Sequence, residues 1–149
     1  MKEIKLISPL DIKLYKTKKF ILNLNQYRNL HYRVLNNAKI KYKEHMEKQI
    51  SKLEPIDKPI CLVYTVYKGD NRSYDVSNIC SVHDKFFEDA LVELGKLPDD
   101  NHKYVPMVVY LEGQRDRFNP RVSVEILPID NELLNKIGER INGKQSQEN

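Results

Sequence analysis

Three short segments of the chain carry residue types that could hold a divalent cation. Asp75 stands between an apolar run and a helical pattern, residues 85–91 add a lysine and carboxylates, and Asp99 and Asp100 precede a second apolar run. Carboxylate oxygens with free water positions are the usual protein ligands of Mg²⁺. A cation held there could activate water and neutralise the charge developing on a phosphodiester, with Lys85 as a second positive charge near the phosphate.

The elements around these segments decide whether they meet. Residues 60–67 are β-branched and aromatic, which predicts a central strand. Ser77 is a candidate N-cap for a helix that runs to about Leu94, and Gly95 is well placed to end it. Strands are predicted at 104–112 and 121–127. If the strand after Asp100 pairs near the strand before Asp75, both acidic positions reach the same end of the sheet.

The N-terminal half predicts one strand and one long helix. Residues 19–24 are typical of a strand, and residues 30–53 carry apolar side chains at a near-constant spacing of four, which indicates an amphipathic helix. With a short helix at 131–141, the predicted order is strand, helix, strand, helix, strand, strand. This order implies an α/β (α+β) fold with a small mixed β-sheet and two main helices packed on one side. Residues 1–130 would form the domain, and residues 131–149 a short C-terminal helix and flexible polar tail.

Composition narrows the class of protein. A chain of 149 residues with 40% hydrophobic content is long enough for one core. No apolar stretch approaches 18 residues and no secretion signal opens the chain, so we expect a soluble cytoplasmic protein without a membrane partner. Cys61 and Cys80 have no metal-binding spacing, which favours two buried reduced thiols.

The net charge of +4 hides a split along the chain. Residues 13–52 carry eleven Lys or Arg against Glu44 and Glu47, a balance of +9, so the rest sums to −5. Residues 69–105 hold eight carboxylates against four basic residues. A basic half beside an acidic centre is what a phosphate-binding surface around a cation site would need. A solvated helix face beside an acidic loop explains the same composition equally well.

The arrangement of motifs resembles the RusA-like family of Holliday-junction resolvases, common in phages and prophages. The family pattern is Asp-x-Asp-Asn, then Lys-x-x-x-Asp-Ala-Leu, then a Gly, then Asp-Asp before a strand. The likeness covers roughly residues 20–127, and each motif is weak alone, whereas four in order are fairly specific. The matching positions are Asp75, Asn78, Lys85, Asp89, Ala90, Leu91, Asp99 and Asp100.

The resemblance implies a magnesium-dependent endonuclease, with Mn²⁺ as a substitute, in a bacterial or phage-infected cell. A homodimer would place two sites across a four-way junction in branched DNA. Asp75 and Asp100 would be catalytic metal ligands and Lys85 the catalytic lysine that faces the phosphate. Asp99 would support the metal, and Asn78 and Asp89 the site. The polar-aromatic opening and basic helix would contact DNA through Asn25, Tyr27, Arg28, His31, Arg33, Lys39 and Lys43, with Tyr27 the best candidate to stack on unpaired bases.

Two departures from the family pattern leave alternatives open. Ser77 replaces the second Asp, and it could bind the cation or simply cap the helix. Asp84 or Glu88 could substitute only if the helix presents them to the cleft. The protein could alternatively bind branched DNA with weak or lost catalysis because of Ser77.

Four extra residues also separate Asn78 from Lys85, about one helical turn. Either Ser81 or Lys85 could therefore take the family lysine's place, and the retained spacing to Asp100 favours Lys85. His83 falls among apolar residues and is interpreted as a core-edge histidine. His102, beside the acidic pair, stays unassigned.

Overall fold

The structure is a computed structural model that describes residues 3–135. Two main helices and a short one accompany six strands, and residues 131–135 are helical at the end of the described part. The remainder of the predicted 131–141 helix and the tail lie outside the described residues. The elements are β1 (Ile4–Ser8), β2 (Asp11–Tyr15), β3 (Lys18–Ile21), α1 (Leu24–Asn29), α2 (Tyr32–Ile50), β4 (Ile60–Tyr67), α3 (Val76–Glu93), β5 (Met107–Glu112) and β6 (Arg121–Pro128).

A four-stranded sheet in the order β1-β6-β4-β5 forms the centre of the fold. β4 and β5 run parallel, with Cys61 opposite Met107 and Val66 opposite Glu112, while β6 pairs antiparallel with both β4 and β1. β2 and β3 form a separate antiparallel hairpin. The predicted α+β class with a small mixed sheet is therefore confirmed.

The core lies between the sheet and the two main helices. All but the last residue of β4 are buried, as its β-branched and aromatic composition predicts for a central strand. In α2 the buried side chains are Ala38, Tyr42, Met46 and Ile50, which confirms the predicted stripe at a spacing of four. Burying each of the larger side chains contributes roughly 1.5–3 kcal/mol.

Helix α3 connects β4 to β5. The two ends of this helix are capped in different ways. Asp75 is the N-cap, and its side chain accepts a hydrogen bond from the Ser77 amide, so the prediction of Ser77 as the cap is wrong by two residues. At the other end Gly95 has φ +74°, a left-handed conformation that favours glycine, which confirms its predicted role as the stop.

The first two strands and α1 were not predicted. Residues 4–6 and 11–14 alternate apolar and polar side chains with a period of two, and this signal could have revealed both strands. The predicted strand at 19–24 ends at Ile21 because Asn23 caps α1, its side chain accepting from the Gln26 amide at 2.9 Å. No helix within residues 3–135 has the length and apolar character needed to cross a membrane.

Candidate functional site

Four carboxylates and two lysines line one cleft of about 340 Å³ beside α3, here called the acidic cleft. Asp84 and Glu88, and Lys85 and Asp89, are pairs four residues apart on α3, so each pair projects from one side of the helix. The loop before β5 adds Asp100. The full lining is Tyr27, Lys39, Asp84, Lys85, Glu88, Asp89 and Asp100.

Asp84 is fixed by hydroxyl groups from the sheet. The Tyr64 hydroxyl donates to Asp84 Oδ1 at 2.8 Å, and the Tyr110 hydroxyl donates to Oδ2 at 3.3 Å. Burial, followed by the charge of Asp84, raises the pKa of both tyrosines, so both keep their protons at neutral pH. Parallel strands β4 and β5 place these tyrosines opposite each other, and the carboxylate is consequently held in one orientation above the sheet.

Glu88 lies one helical turn from Asp84 and carries the most perturbed carboxyl group of the cleft. Burial raises its pKa to about 9, helped by a hydrogen bond with Asp84 and by the charges of Asp84, Asp100 and Asp89. At neutral pH Glu88 therefore holds a proton that it can donate to Asp84. A concentration of carboxylates that must retain a proton is a candidate functional site, because a bound cation would relieve the same repulsion.

The two lysines of the cleft are held differently. Lys39 Nζ lies 3.6 Å from Asp89 Oδ2, and this charge partly offsets the burial that raises the pKa of Asp89. Lys85 Nζ stands 5.8 Å from the centre of the Tyr27 ring and forms no ion pair with any residue from 3 to 135. Of the two lysines, Lys39 is therefore paired with a carboxylate of the cleft and Lys85 is not.

Asp75 does not join the acidic cleft, which corrects the expectation that it shares a metal with Asp100. Asp75 follows the end of β4 and Asp100 precedes the start of β5, and because these strands are parallel the two positions lie at opposite edges of the sheet. The intervening α3 has 18 residues and spans about 27 Å. Asp75 lies nine residues before Asp84, about 13 Å along the helix axis.

Ser77, Asn78 and Asp99 were also predicted to bind or support the metal. Each of them forms hydrogen bonds with residues close to it in the sequence. The Ser77 hydroxyl donates to Asp75 Oδ1 at 2.9 Å, so Ser77 belongs to the helix cap and not to the cleft. The backbone amide of Asn78, near the start of α3, donates to the Asp75 carbonyl. Asp99 accepts from the Asp100 amide at 2.8 Å and from Asn101 Nδ2 at 3.0 Å, which is a local turn.

Lys85 and not Ser81 lines the cleft, as the spacing to Asp100 favours. The Ser81 hydroxyl is buried and has no hydrogen-bond partner among the described residues. His83 is a fully buried core histidine whose Nδ1 lies 2.6 Å from Ser8 Oγ, and Ser8 also bonds the Tyr42 hydroxyl at 2.7 Å. His102 is exposed and stands outside the cleft.

The predicted DNA-contacting residues divide into exposed and paired groups. Tyr27 lies in the cleft, and Asn25 and Arg28 are exposed on α1. Lys43 forms an ion pair with Glu93 at 2.8 Å, so acidic side chains of α3 neutralise part of the basic helix.

His31 and its neighbours mark the start of α2. His31 is its N-cap and accepts from the Arg33 amide at 3.2 Å. Arg33 also lies over the Tyr32 ring, with 5.8 Å between guanidinium carbon and ring centre. The start of α2 therefore presents an exposed imidazole, an exposed phenol ring and an exposed guanidinium side by side.

Asp84 and Glu88 were predicted only as conditional substitutes, and the structure satisfies the condition because α3 presents both to the cleft. Asp84 and Glu88 are four residues apart, as are Lys85 and Asp89, and this spacing could have indicated that all four lie on neighbouring faces of the helix. The roles of Tyr64 and Tyr110 carry no sequence signal, because they depend on the pairing of β4 with β5.

The oxygen donors of the cleft have the chemistry that Mg²⁺ prefers, and Asp84, Glu88 and Asp100 are the side chains that would hold it. As placed within residues 3–135, no three His, Cys, Asp or Glu side chains are grouped to hold a metal ion. No protein-family model and no curated protein matches the chain. The likeness to the RusA-like family rests on its motifs and stays a prediction.

Proposed function

We propose that the protein is a magnesium-dependent endonuclease that cuts branched DNA such as a four-way junction. The observation that supports this most is the acidic cleft, in which Asp84, Glu88 and Asp100 stand beside the amine of Lys85. Negative oxygen donors beside an available cation are suited to a phosphodiester, which carries negative charge and develops more during cleavage. A homodimer across the junction belongs to the same proposal and is supported by the resemblance alone.

Three residues of the cleft have roles in this proposal that follow from their surroundings. Bound Mg²⁺ would supply an activated water and neutralise charge on the scissile phosphate. Asp84, fixed by Tyr64 and Tyr110, would hold the cation in a set orientation. Glu88, whose pKa is about 9 in the metal-free cleft, would release its proton on becoming a ligand of the cation. Lys85 would contact the phosphate.

The surface next to the cleft supports DNA as the substrate. Tyr27 lies in the cleft beneath Lys85, and exposed Arg28 follows it on the same short helix. At the start of α2, Tyr32 is 61% exposed and carries Arg33 over its ring. Aromatic faces interleaved with basic side chains suit unpaired bases joined by phosphates, which branched DNA offers and continuous duplex does not.

Cleavage of a synthetic four-way junction in Mg²⁺ tests the proposal. Asp84→Asn keeps the size of the side chain and removes a ligand charge, so we expect cleavage to fall by at least about a hundredfold, the scale of losing one positioned electrostatic group. Asp75→Asn is the matched control, because asparagine caps a helix as well as aspartate does. It should cut at close to the wild-type rate.

Two results would contradict the proposal. One is a wild-type protein that cuts no junction in Mg²⁺ or Mn²⁺. The other is an Asp84→Asn variant that cuts as fast as the wild type while Asp75→Asn loses activity, which would return the site to the start of α3.

A branched-DNA binding protein with weak or lost catalysis is the second candidate. It is favoured by the Lys39–Asp89 contact at 3.6 Å, which already neutralises one carboxylate of the cleft without a metal. Junction binding in a gel-shift assay, with no nicking in either cation and with equal affinity for wild type and Asp100→Asn, would select this candidate over the nuclease.

A further inference from the structure

The loop between β5 and β6 (residues 113–120, the β5–β6 loop) carries an aromatic side chain in solvent. Phe118 is 94% exposed, the highest value among the large apolar side chains of the described residues. Its neighbours along the chain are Arg117 and Asn119, with Arg115 two residues further back. Single exposed apolar side chains are common on protein surfaces, and Phe118 is of interest because its loop also carries Arg115 and Arg117.

The loop is held to the end of β4 by backbone hydrogen bonds. The Gly113 amide donates to the Val66 carbonyl, and the Asp116 amide donates to the Lys68 carbonyl, both at 2.8 Å. A side chain at Gly113 would have its Cβ 2.7 Å from the Tyr67 ring, so only glycine allows this close approach. The base of the loop is therefore fixed relative to the sheet.

The side chain of Asp116 forms the hydrogen bonds that hold the tip of the β5–β6 loop in one conformation. Its carboxylate accepts from the Asn119 amide at 3.1 Å and from Arg121 Nη1 at 2.8 Å, and Arg121 also donates to the Asn119 carbonyl at 2.9 Å. The Arg121 guanidinium stacks 4.1 Å from the centre of the Tyr67 ring. Phe118 is consequently presented by an ordered turn, and little conformational entropy would be lost when a partner covers it.

Arg115 and Arg117 precede Phe118 in the loop, and Arg115 Nε donates to the Gly69 carbonyl at 3.3 Å. Arg72, Arg115 and Arg117 form no ion pair with any residue in the described part of the chain, whereas Arg121 is paired with Asp116. Arg72 and Arg115 line a polar cleft of about 170 Å³ next to the loop, together with the acidic side chains of Asp70 and Glu112 and with Lys68, Asn71, Tyr74 and Gly113. The guanidinium groups offer planar donors that match phosphate.

We infer that the β5–β6 loop is a second nucleic-acid contact, in which Phe118 stacks on an unpaired base while Arg115, Arg117 and Arg72 hold the adjoining phosphates. A protein partner fits less well, because aromatic anchors of protein interfaces sit among other apolar groups and Phe118 has polar neighbours. A base offers a flat π-face flanked by phosphates, which matches one ring between arginines.

This second contact goes beyond the proposed nuclease activity. The loop lies at the edge of the sheet where β4 and β5 end, and Asp100 of the acidic cleft lies at the edge where they begin. Asp100 and the β5–β6 loop thus lie at opposite edges of the sheet. The loop would bind unpaired bases whether or not the cleft cuts.

Binding in EDTA separates the loop from cleavage. Fluorescence anisotropy would be measured with a labelled single-stranded oligonucleotide, with a four-way junction holding unpaired bases at its centre, and with a fully paired duplex. Phe118→Ala should weaken binding to the first two by about five- to a hundredfold, the usual effect of losing one stacking ring, and change duplex binding little. Phe118→Tyr should bind like the wild type. Leu111→Ala, which truncates a side chain that is 44% exposed on β5, should also be unchanged.

Salt dependence tests the arginines. Arg115→Gln and Arg117→Gln should each lower the slope of log affinity against log salt by about 1, because each removes one phosphate contact. A 2-aminopurine placed among the unpaired bases should be quenched by wild type and by Phe118→Tyr, but not by Phe118→Leu.

Three outcomes would overturn the inference. They are wild-type affinity in Phe118→Ala, full affinity and quenching in Phe118→Leu, and an equal loss on duplex and unpaired DNA. Each would leave the acidic cleft untouched, because no cation is present. A protein that binds through Phe118 but never cuts in Mg²⁺ would instead remove the nuclease proposal and keep this one.

Discussion

Glu88 is the residue that most strongly marks the cleft as a site. Its pKa is raised to about 9 in the folded protein, against an ordinary value of 4.5, chiefly by burial and then by Asp84. Between these two values the folded state holds a proton on Glu88 that the unfolded state has lost, so the contribution of Glu88 to the free energy of unfolding falls as pH rises from about 4.5 to about 9. Proton and cation also compete for the same oxygens.

We therefore predict that Glu88→Gln flattens the fall of stability with pH, because the amide keeps a donor to Asp84 and cannot ionise. Urea unfolding at pH 5, 7 and 9 measures this, with exposed Glu47→Gln of α2 as the matched control. If Glu88→Gln and wild type show the same pH profile, the glutamate is ordinary and the electrostatic support for the cleft is lost.

His83 shows the opposite behaviour for a different reason. Complete burial lowers its pKa from 6.5 to about 3, and its Nδ1 is 2.6 Å from Ser8 Oγ. Between pH 3 and pH 6.5 His83 is protonated in the unfolded chain and neutral in the folded chain. His83 therefore contributes stability above pH 6.5 that is lost as pH falls from about 6.5 toward 3. This histidine belongs to the core and does not line the acidic cleft.

We predict that the ring signals of His83 in NMR spectra do not titrate between pH 8 and pH 5. Comparison with His83→Gln assigns the signals. A titration midpoint between pH 6 and 7 would show that water reaches the ring, and would reopen an acid–base role for this residue.

At the scale of elements, α3 both connects the parallel strands and carries the cleft. Much of this was predictable, because β4 is rich in β-branched and aromatic residues, α2 has apolar residues at a spacing of four, and Gly95 follows the end of the α3 pattern. The meeting of Asp75 with Asp100 was predicted wrongly. The two residues lie at opposite edges of the sheet because β4 and β5 are parallel neighbours, and the sequence does not show how these strands pair.

A substitution at the start of α3 distinguishes two locations for the metal. One is the start of α3, as expected from the sequence, and the other is the acidic cleft. Ser77→Asp would restore the carboxylate of the RusA-like pattern, but its position is in the first turn, bonded to Asp75 and distant from Glu88. We expect unchanged cleavage and unchanged Mg²⁺ affinity, measured on a four-way junction and by calorimetry. A large gain of cleavage would mean that the metal binds at the start of α3.

The far end of the same helix gives a stability prediction. Gly95 has φ +74°, and a Cβ at this position would have no neighbouring atom within 4 Å, so Gly95→Ala causes no steric clash. Its cost is that of the left-handed backbone, about 1–2 kcal/mol of unfolding free energy. Urea denaturation measures the change, and a loss near zero would show that the helix end rearranges.

At the scale of the whole molecule, the structure shows which residues of the basic segment are paired with carboxylates and which are exposed, a question that composition could not answer. Part of the basic segment is neutralised by α3, through Lys39 with Asp89 and Lys43 with Glu93, and part remains exposed around α1 and the start of α2. The β5–β6 loop adds a second basic surface, where the sequence predicts only a turn. Its arginines are far apart in the sequence, and folding brings Arg72 and Arg115 together with Lys68 at one polar cleft.

Direct titration with Mn²⁺, followed by electron paramagnetic resonance at pH 8, tests most directly whether the acidic cleft holds the cation. We predict saturable binding by wild type and by Asp75→Asn, and affinity weakened at least about tenfold in both Asp84→Asn and Asp100→Asn, because each removes a charged ligand. Wild-type affinity in Asp84→Asn together with lost binding in Asp75→Asn would contradict the assignment of the cation to the cleft.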